Sequence, residues 1–492
     1  MKRRDFLSSA ITVTAASSFP VGLGLAADLQ AVAPKGDKVT ISEGMVSDLQ
    51  KSIKGDVVLP DSEQYEAARK IWNASFDKRP SMIVQCADSN DVVSAVQFAR
   101  TNNVLMAVRC GGHSYSGQST TNGGLVIDLS RMQNAEVDAN ARTCRIQGGA
   151  LLGNLDRAAA EYGLATTAGF VSHTGVGGLA TGGGHGRLMK KFGLTLDNNL
   201  GVEMVTADGR LVKANADENA DLYWAVRGGG GNFGIVTQFE FQLYQMDPMV
   251  TSFAYTFPIE AAPDVMKFYF EWDAEQPDET ASSLGLRRNA QGEAAVAIGG
   301  TYIGTPDQAE KALGKLVTFG KPIIGRITSA NYVTMQAAAD RIYAHGRYYY
   351  SKSGFFDRVD AKLPEVMLEY FMKHPTAKAG ISAASHGGAA GRVPMDATAY
   401  AHRDAKYQIS ISVDWDKSED GPGWLKYARD YWSVMEPLSD GGFYVNTTDD
   451  DRENTIRKNY RGNYERLVDI KTAWDPDNAF RLNANIPPRR KA

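Results

Sequence analysis

The spacing of apolar and polar residues changes period several times along this chain, and each change predicts an element. Residues 28 to about 78 read as a polar lead-in with one helix over 62–72. Met82–Gln85 is a short apolar run of strand character. After it Ser89 stands as an N-cap, and Val92, Val93, Val96 and Ala99 recur at helical spacing as far as Asn102. Residues 104–108 return to a strand, so the chain builds β-α-β and runs straight into Arg109-Cys110-Gly111-Gly112-His113-Ser114-Tyr115-Ser116-Gly117-Gln118-Ser119, a glycine-bracketed loop with one histidine at its tip. Strands over 125–129, 135–138 and 143–147 follow, the last two paired across a turn at 138–141. A helix over 151–162 closes at Gly163 in the C-cap position.

Two more glycine clusters come next. Gly175-Val176-Gly177-Gly178-Leu179-Ala180 satisfies the dinucleotide pattern G-x-G-x-x-G/A, with Asp197 about 20 residues on, where a ribose-binding acid would stand. The helix that a Rossmann unit needs would have to pass Gly182, Gly183, Gly184 and Gly186, at about 1 kcal/mol lost per interior glycine. The expectation is therefore an irregular glycine loop over 175–186, whose bare backbone brings N–H groups close to a flat or phosphorylated ligand. The third cluster, 227–234, precedes an alternating strand over 235–243. Between the two clusters a hairpin, 201–206 with 210–213, turns at Asp208-Gly209. Three such loops, each beside a strand, predict one extended ligand lying across the domain.

From about residue 250 the glycine clusters thin out. Strands over 252–256, 283–287 and 294–301 alternate with helices over 264–272 and 306–317, a pattern for an antiparallel sheet with helices on one face. In the strand 407–415, Tyr407, Ile409, Ile411, Val413 and Trp415 share one face and Gln408, Ser410, Ser412 and Asp414 the other. Such a polar front face is a natural cavity wall, with Gln408, Ser410 and Ser412 as candidate substrate contacts.

Composition narrows the function. The chain of 492 residues has room for two or three domains, and a net charge of −4 without a basic run gives no footprint for nucleic acid. Its 49 glycines exceed the usual share of ~7%. Three cysteines, Cys86, Cys110 and Cys144, without C-x-x-C spacing or paired histidines, argue against a disulfide framework and a metal site; they read as partly buried thiols on strands of one domain. Arg3-Arg4 followed by Phe6-Leu7, a weakly apolar run over 10–25 and small residues at 24–27 resemble a twin-arginine (Tat) export signal, a route for proteins that fold around a cofactor before export. No other run approaches the ~18 apolar residues of a membrane span. The expected organisation is a leader over 1–33, a domain over 34–248, a second over 249–448 and a segment over 449–492 returning to the first. The Tat machinery is the expected partner and the periplasm or exterior the expected location.

The motifs R-C-G-G-H-S-Y-S-G (109–117), G-V-G-G-L-A-T-G-G-G-H-G (175–186), K-F-G-L-T-L-D-N (191–198), G-G-G-N-F-G-I-V-T (229–237) and A-T-A-Y-A-H-R (397–403), with the N-Y-E-R-L to D-P-D-N-A-F-R tail, span nearly all of the mature chain in order. The chain thereby resembles the berberine bridge enzyme-like FAD-linked oxidases of the vanillyl-alcohol oxidase and p-cresol methylhydroxylase (PCMH) superfamily. The resemblance implies an α+β fold: a two-part FAD-binding domain of the PCMH type, plus a substrate domain whose antiparallel sheet is covered by helices. It implies that His113 carries FAD through the isoalloxazine 8α carbon, a role that suits a nucleophilic neutral imidazole on a glycine loop. Arg109, Gly111, Gly112, Ser114, Tyr115, Gly117, Ser119, Thr174, Gly178, Gly182, His185, Ile235, Val236, Tyr444 and Asn446 would complete the cofactor site.

Three positions depart from the family pattern. Val171 stands where many members carry a second, cysteinyl link to the flavin, so a single attachment is expected. Thr447 replaces the second tyrosine of a Y-x-N-Y strand, and Ser410 replaces an acidic or amide group. Both usual places for the base are thus empty, and the candidates are Tyr115, Tyr349, His402, Asp414 and Tyr444. The resemblance implies an oxidase that takes a hydride from an alcohol-type carbon of a sugar, oligosaccharide or secondary metabolite and reduces O2 to H2O2. The alternatives are a dehydrogenase with a quinone or cytochrome acceptor, on which Thr174 does not decide, and a catalytically idle flavin- or glycan-binding protein.

Overall fold

A computed structural model describes residues 28–289, 291–373, 379–447 and 453–489. The twin-arginine segment lies outside them. Leu29–Val32, assigned above to the end of the leader, instead pairs with Lys38–Ile41, and Ala31 and Ala33 are buried. The packed core therefore begins ahead of residue 34.

The first sheet has the order Asp56–Val58, Met82–Gln85, Leu125–Asp128, Met106–Arg109. Met82–Gln85 and Met106–Arg109 both run parallel to Leu125–Asp128, as the β-α-β pattern requires. The helix Ser89–Thr101 packs Val92, Ala95, Val96 and Ala99 into the core. Its cap is Asp88, one residue earlier than expected: Asp88 Oδ1 accepts the N–H groups of both Asn90 and Asp91, while the Ser89 hydroxyl donates away from the helix end to Glu203. A second, antiparallel sheet has the order Leu211–Asn215, Asn199–Val205, Ile235–Gln242, Thr143–Gln147, Ala135–Asp138. Its hairpin turns at Gly209 with φ +76. Cys86 and Cys144 are buried beside or on these strands, and all three cysteines are free.

The third sheet is antiparallel throughout, in the order Ile324–Asn331, Met249–Pro258, Ala294–Tyr302, Thr280–Arg288, Ala379–Ser385, Tyr407–Trp415, Tyr348–Phe356. Tyr407, Ile409, Ile411, Val413 and Trp415 meet Tyr269, Trp272, Met367, Phe371 and Tyr431 of the covering helices in one core. The opposite face of the same strands carries the polar residues toward the first two sheets.

Three expectations change. The helix over 62–72 shrinks to Tyr65–Ala68. The chain leaves it so that Trp72 can bury completely and the Asn73 amide can donate to the carbonyls of Tyr115 and Tyr349. The irregular loop over 175–186 begins as a real helix, Val176–Gly182. Burial of Val176 and Ala180 in the core offsets its glycines, and a Cβ at Gly177 would come within 2.7 Å of the Gly148 carbonyl oxygen. Gly183 and Gly184, at φ +143 and +85, then end it. Tyr444-Val445-Asn446-Thr447, expected as a strand, is a turn.

The tail folds back on the core of the second sheet. In the helix Tyr464–Trp474, Lys471 is fully buried, and its ammonium donates to Asn232 O at 2.7 Å, Asp475 Oδ2 at 2.5 Å and Phe480 O at 2.9 Å. Asp475 in turn accepts the N–H groups of Ala479 and Phe480. The Lys471→Met protein, which leaves that carboxylate buried without its cation, should lose about 3–5 kcal/mol of stability. Denaturant unfolding with tryptophan fluorescence reads this as a lower midpoint, and an unchanged midpoint would refute the latch.

Candidate active site

Between the three glycine loops and the polar face of the third sheet lies a cavity of about 430 Å³. Its deepest organising contact is backbone on backbone. A Cβ at Gly111 would stand 2.5 Å from Gly175 N, and one at Gly175 would stand 2.3 Å from Gly111 N, so both positions need glycine for the loops to cross. Hydrogen bonds from Leu152 N to Thr174 O and from Val176 N to Ala150 O hold the Gly175 side of the crossing against the start of the helix Leu152–Ala160. Gly112, at φ +64, then turns the chain to present His113.

The His113 imidazole stacks on the Trp72 indole, with ring centroids 4.0 Å apart and planes 14° apart. Its Nε2 is buried without a hydrogen-bond partner among the described residues. Burial, helped by the neighbouring His173 and His345, pushes its pKa down to about 3. The ring is therefore neutral at physiological pH and has a lone pair to offer.

On the other side of the cavity Tyr444 lies flat on the His185 ring, with centroids 3.8 Å apart. Tyr444 Oη accepts three N–H groups: Gly184 N at 3.0 Å, His185 N at 3.1 Å and Asn446 Nδ2 at 2.9 Å. The Asn446 amide cannot be turned round, because the same nitrogen donates to Leu179 O at 3.0 Å. No acceptor for the phenol's own proton stands among the described residues. His185 is neutral, held well below its ordinary pKa by burial; Nδ1 donates to Gln408 Oε1 at 2.8 Å and Nε2 accepts from the Tyr400 hydroxyl at 2.9 Å.

The sheet face is a lattice of small hydroxyls. Ser410 sits in register between Ser353 and Ser382 on its two neighbouring strands, and Ser412 lies opposite Ser351, with 3.3 Å between their hydroxyls. Among the described residues that line the cavity there is no Asp, Glu, Lys or Arg.

Of the residues singled out in the sequence, Gly111, Gly112, His113, Ser114, Tyr115, Ser119, Val171, Thr174, Gly178, His185, Ile235, Val236, Gln408, Ser410, Ser412, Tyr444, Asn446 and Thr447 line this cavity. Others have different jobs. Arg109 turns away to pair with buried Asp128 at 2.5 Å and to donate to the Ala68 carbonyl. Gly117 clears the Phe76 ring, which a Cβ would strike at 2.2 Å, and Gly182 clears Asn446 Oδ1, again at 2.2 Å. Tyr349 stacks on the far face of Trp72 and donates to Ala344 O at 2.7 Å. His402 is buried against Phe355, at 4.1 Å between centroids, outside the cavity lining. Asp414 is paired with Arg347. Sequence reasoning missed Trp72, Ser351, Ser382, Tyr343 and Asn483. Only the two serines carried a signal, in the alternation of strands flanking 407–415.

Two family models match the chain: an FAD binding domain over residues 80–215, and "Berberine and berberine like" over 443–487. An FAD-linked oxidoreductase of Dictyostelium discoideum is 33% identical over 449 residues, 90% of this chain and 97% of that protein. The structure of 6-hydroxy-D-nicotine oxidase from Arthrobacter nicotinovorans superimposes with a TM-score of 0.83 at 28% identity, covering 89% of this chain and 99% of the other. Glucooligosaccharide oxidase from Acremonium strictum, described with a 6-S-cysteinyl, 8α-N1-histidyl FAD, gives a TM-score of 0.81 at 26% identity, covering 91% and 100%. The chain belongs to the berberine bridge enzyme-like family of FAD-linked oxidoreductases, and it is an enzyme of that class. The residues present fit FAD: an unpartnered histidine nitrogen beside the cavity, and Gly178, at which a Cβ would meet nothing within 4 Å. No helix of the described residues is long and apolar enough to cross a membrane.

Proposed function

We propose that this protein is an oxidase that holds FAD covalently through His113 alone, removes a hydride from an alcohol-type carbon of a neutral, hydroxylated small molecule, and passes the electrons to O2 to give H2O2. The observation that carries the reading is a cavity with no charged side chain among the described residues that line it, bounded by a neutral histidine at one end and by a serine lattice with a triply hydrogen-bonded tyrosine at the other. A charged substrate would enter such a site without a counter-ion, at a high desolvation cost. Sugar, oligosaccharide and secondary-metabolite hydroxyls match the serine donors and acceptors.

Bound FAD supplies the hydride acceptor. Ser351, Ser382, Ser410 and Ser412 orient the substrate, and Tyr444 takes the proton of the reacting hydroxyl. Three N–H donors on one phenol oxygen favour its phenolate form, while burial opposes it and leaves the group above its ordinary value of 10. Val171 occupies the position of the second covalent link. Cys110, the one cysteine at the cavity, points its thiol at Ala150 O. Arg3-Arg4, Phe6-Leu7 and the weakly apolar run over 10–25 support export through the twin-arginine route to the periplasm or beyond.

If His113 is the only anchor, acid-precipitated wild-type protein stays yellow, and the His113→Ala protein releases its flavin on precipitation. A colourless wild-type precipitate would sink the covalent reading. With Tyr444 as base, peroxide formation from a panel of sugars and alcohols should climb with pH about tenfold per unit and keep climbing to pH 10, because only the phenolate works. Tyr444→Phe should cost ~10²- to 10⁴-fold in kcat/KM and flatten that profile; a profile already level at pH 7 excludes the role. Replacing Arg3 and Arg4 with lysine should hold the protein in the cytoplasm, and cell fractionation that finds it still exported rules the route out.

A further inference from the structure

The ring beneath Tyr444 is held from behind by a row of side chains to which the proposed reaction gives no task. His185 Nδ1 meets Gln408 Oε1 at 2.8 Å, His185 Nε2 meets the Tyr400 hydroxyl at 2.9 Å, and that hydroxyl lies 3.3 Å from His386 Nε2. An amide oxygen only accepts, so Nδ1 carries the one proton of the neutral ring and Nε2 its lone pair. Tyr400 therefore spends its proton on His185 and accepts one from His386. Each bond in the row runs the same way, and the row ends on the oxygen of Gln408. His185, Tyr400 and His386 are all buried.

His185 and Gln408 line the cavity, while Tyr400 and His386 do not. The Gln408 amide nitrogen has no partner among the described residues. Its neighbours in register, Phe355 and Ala384 on the two adjoining strands, have no polar side-chain atom to take its N–H groups. With its oxygen held by His185, the amide cannot turn round, so it offers the cavity donors and no acceptor. The serines of the same wall are different, because a hydroxyl rotates to donate or accept as its partner requires. The placement is as informative as the polarity. Tyr444 covers the face of the His185 ring, with centroids 3.8 Å apart, and Gln408 meets the edge of that ring. A fixed donor and the phenol thus flank one imidazole.

We propose that Gln408 is a specificity-determining residue of this site: its locked N–H groups select substrates that carry an oxygen on the carbon next to the one oxidised, and the row through His185, Tyr400 and His386 keeps those groups turned to the cavity. The inference rests on the reading of Tyr444 as the base. Neighbouring oxygens of a sugar or a vicinal diol are spaced by about one hydrogen-bond length, so one meets Tyr444 while the next meets Gln408. An isolated alcohol leaves the amide donors unpaired in a closed site, which costs it affinity. The class selected is the polyol. Tyr400 and His386 act only through His185 and are positioning residues.

The test measures peroxide release by the flavin-loaded, full-length protein with matched pairs: D-glucose against 2-deoxy-D-glucose, and trans-cyclohexane-1,2-diol against cyclohexanol. Wild type should favour the first member of each pair roughly tenfold in kcat/KM. Gln408→Glu keeps an acceptor for His185 Nδ1 but loses the N–H groups, so the ratio should fall to within about twofold of unity, and Gln408→Leu should do the same. Tyr400→Phe frees the imidazole to take its other tautomer and the amide to turn, so the ratio should drop several-fold although no substrate contact is removed. A row with a merely structural role would slow both members of a pair alike and leave the ratio unchanged. Equal kcat/KM for the two members in wild type, or an undiminished ratio in Gln408→Glu or Tyr400→Phe, overturns the proposal while leaving the oxidase reading intact. Should Tyr400→Phe fail to fold, the ratio in Gln408→Glu decides. A wild type that releases peroxide with none of these compounds overturns the reading of the reaction instead, and this inference with it.

Discussion

Everything at the cofactor side depends on two backbones meeting closer than any side chain permits. Gly111 and Gly175 approach so nearly that a Cβ on either would fall inside the other's amide. The crossing brings the histidine loop and the Val171–Gly178 stretch onto one face. It also starts the helix Val176–Gly182 next to the cavity and lets Trp72 close over the His113 ring. Neutrality of that histidine follows from the same packing: a ring pressed between an indole and two other imidazoles has little water to stabilise a charge.

Charge is arranged in a complementary way. The cavity lining carries none among the described residues, while buried ion pairs stand behind it: Arg109 with Asp128, Lys471 with Asp475, and Arg403 with Asp197 through two hydrogen bonds at 2.7 and 2.8 Å. The last joins the K-F-G-L-T-L-D-N and A-T-A-Y-A-H-R motifs, so these conspicuous sequence signals are architecture that holds the two halves together. In place of charges the lining presents the backbone of the glycine loops and side-chain hydroxyls.

Much of the fold was legible because local and global preferences agree. The alternation over 407–415, the hairpin at Asp208-Gly209 and the helix over 306–317 all stand where the pattern put them. The failures are equally local. The helix over 176–182 forms despite its glycines because Val176 and Ala180 bury in the core, and at Gly177 the Gly148 carbonyl leaves no room for a Cβ, reasons that lie in the packing rather than in the segment itself. Arg109, although part of the most recognisable motif, serves Asp128 on the strand behind.

Acting alone, the sequence determined the kinds of element, the glycine loops and the identity of the histidine at the tip, since these rest on periodicity and on residue types with few alternative uses. Only the tertiary structure decided which tyrosine receives three N–H donors, which serines face the cavity and which imidazoles stand in line with His113. Those facts depend on residues hundreds of positions apart coming within a few ångströms, a distance that no local spacing records.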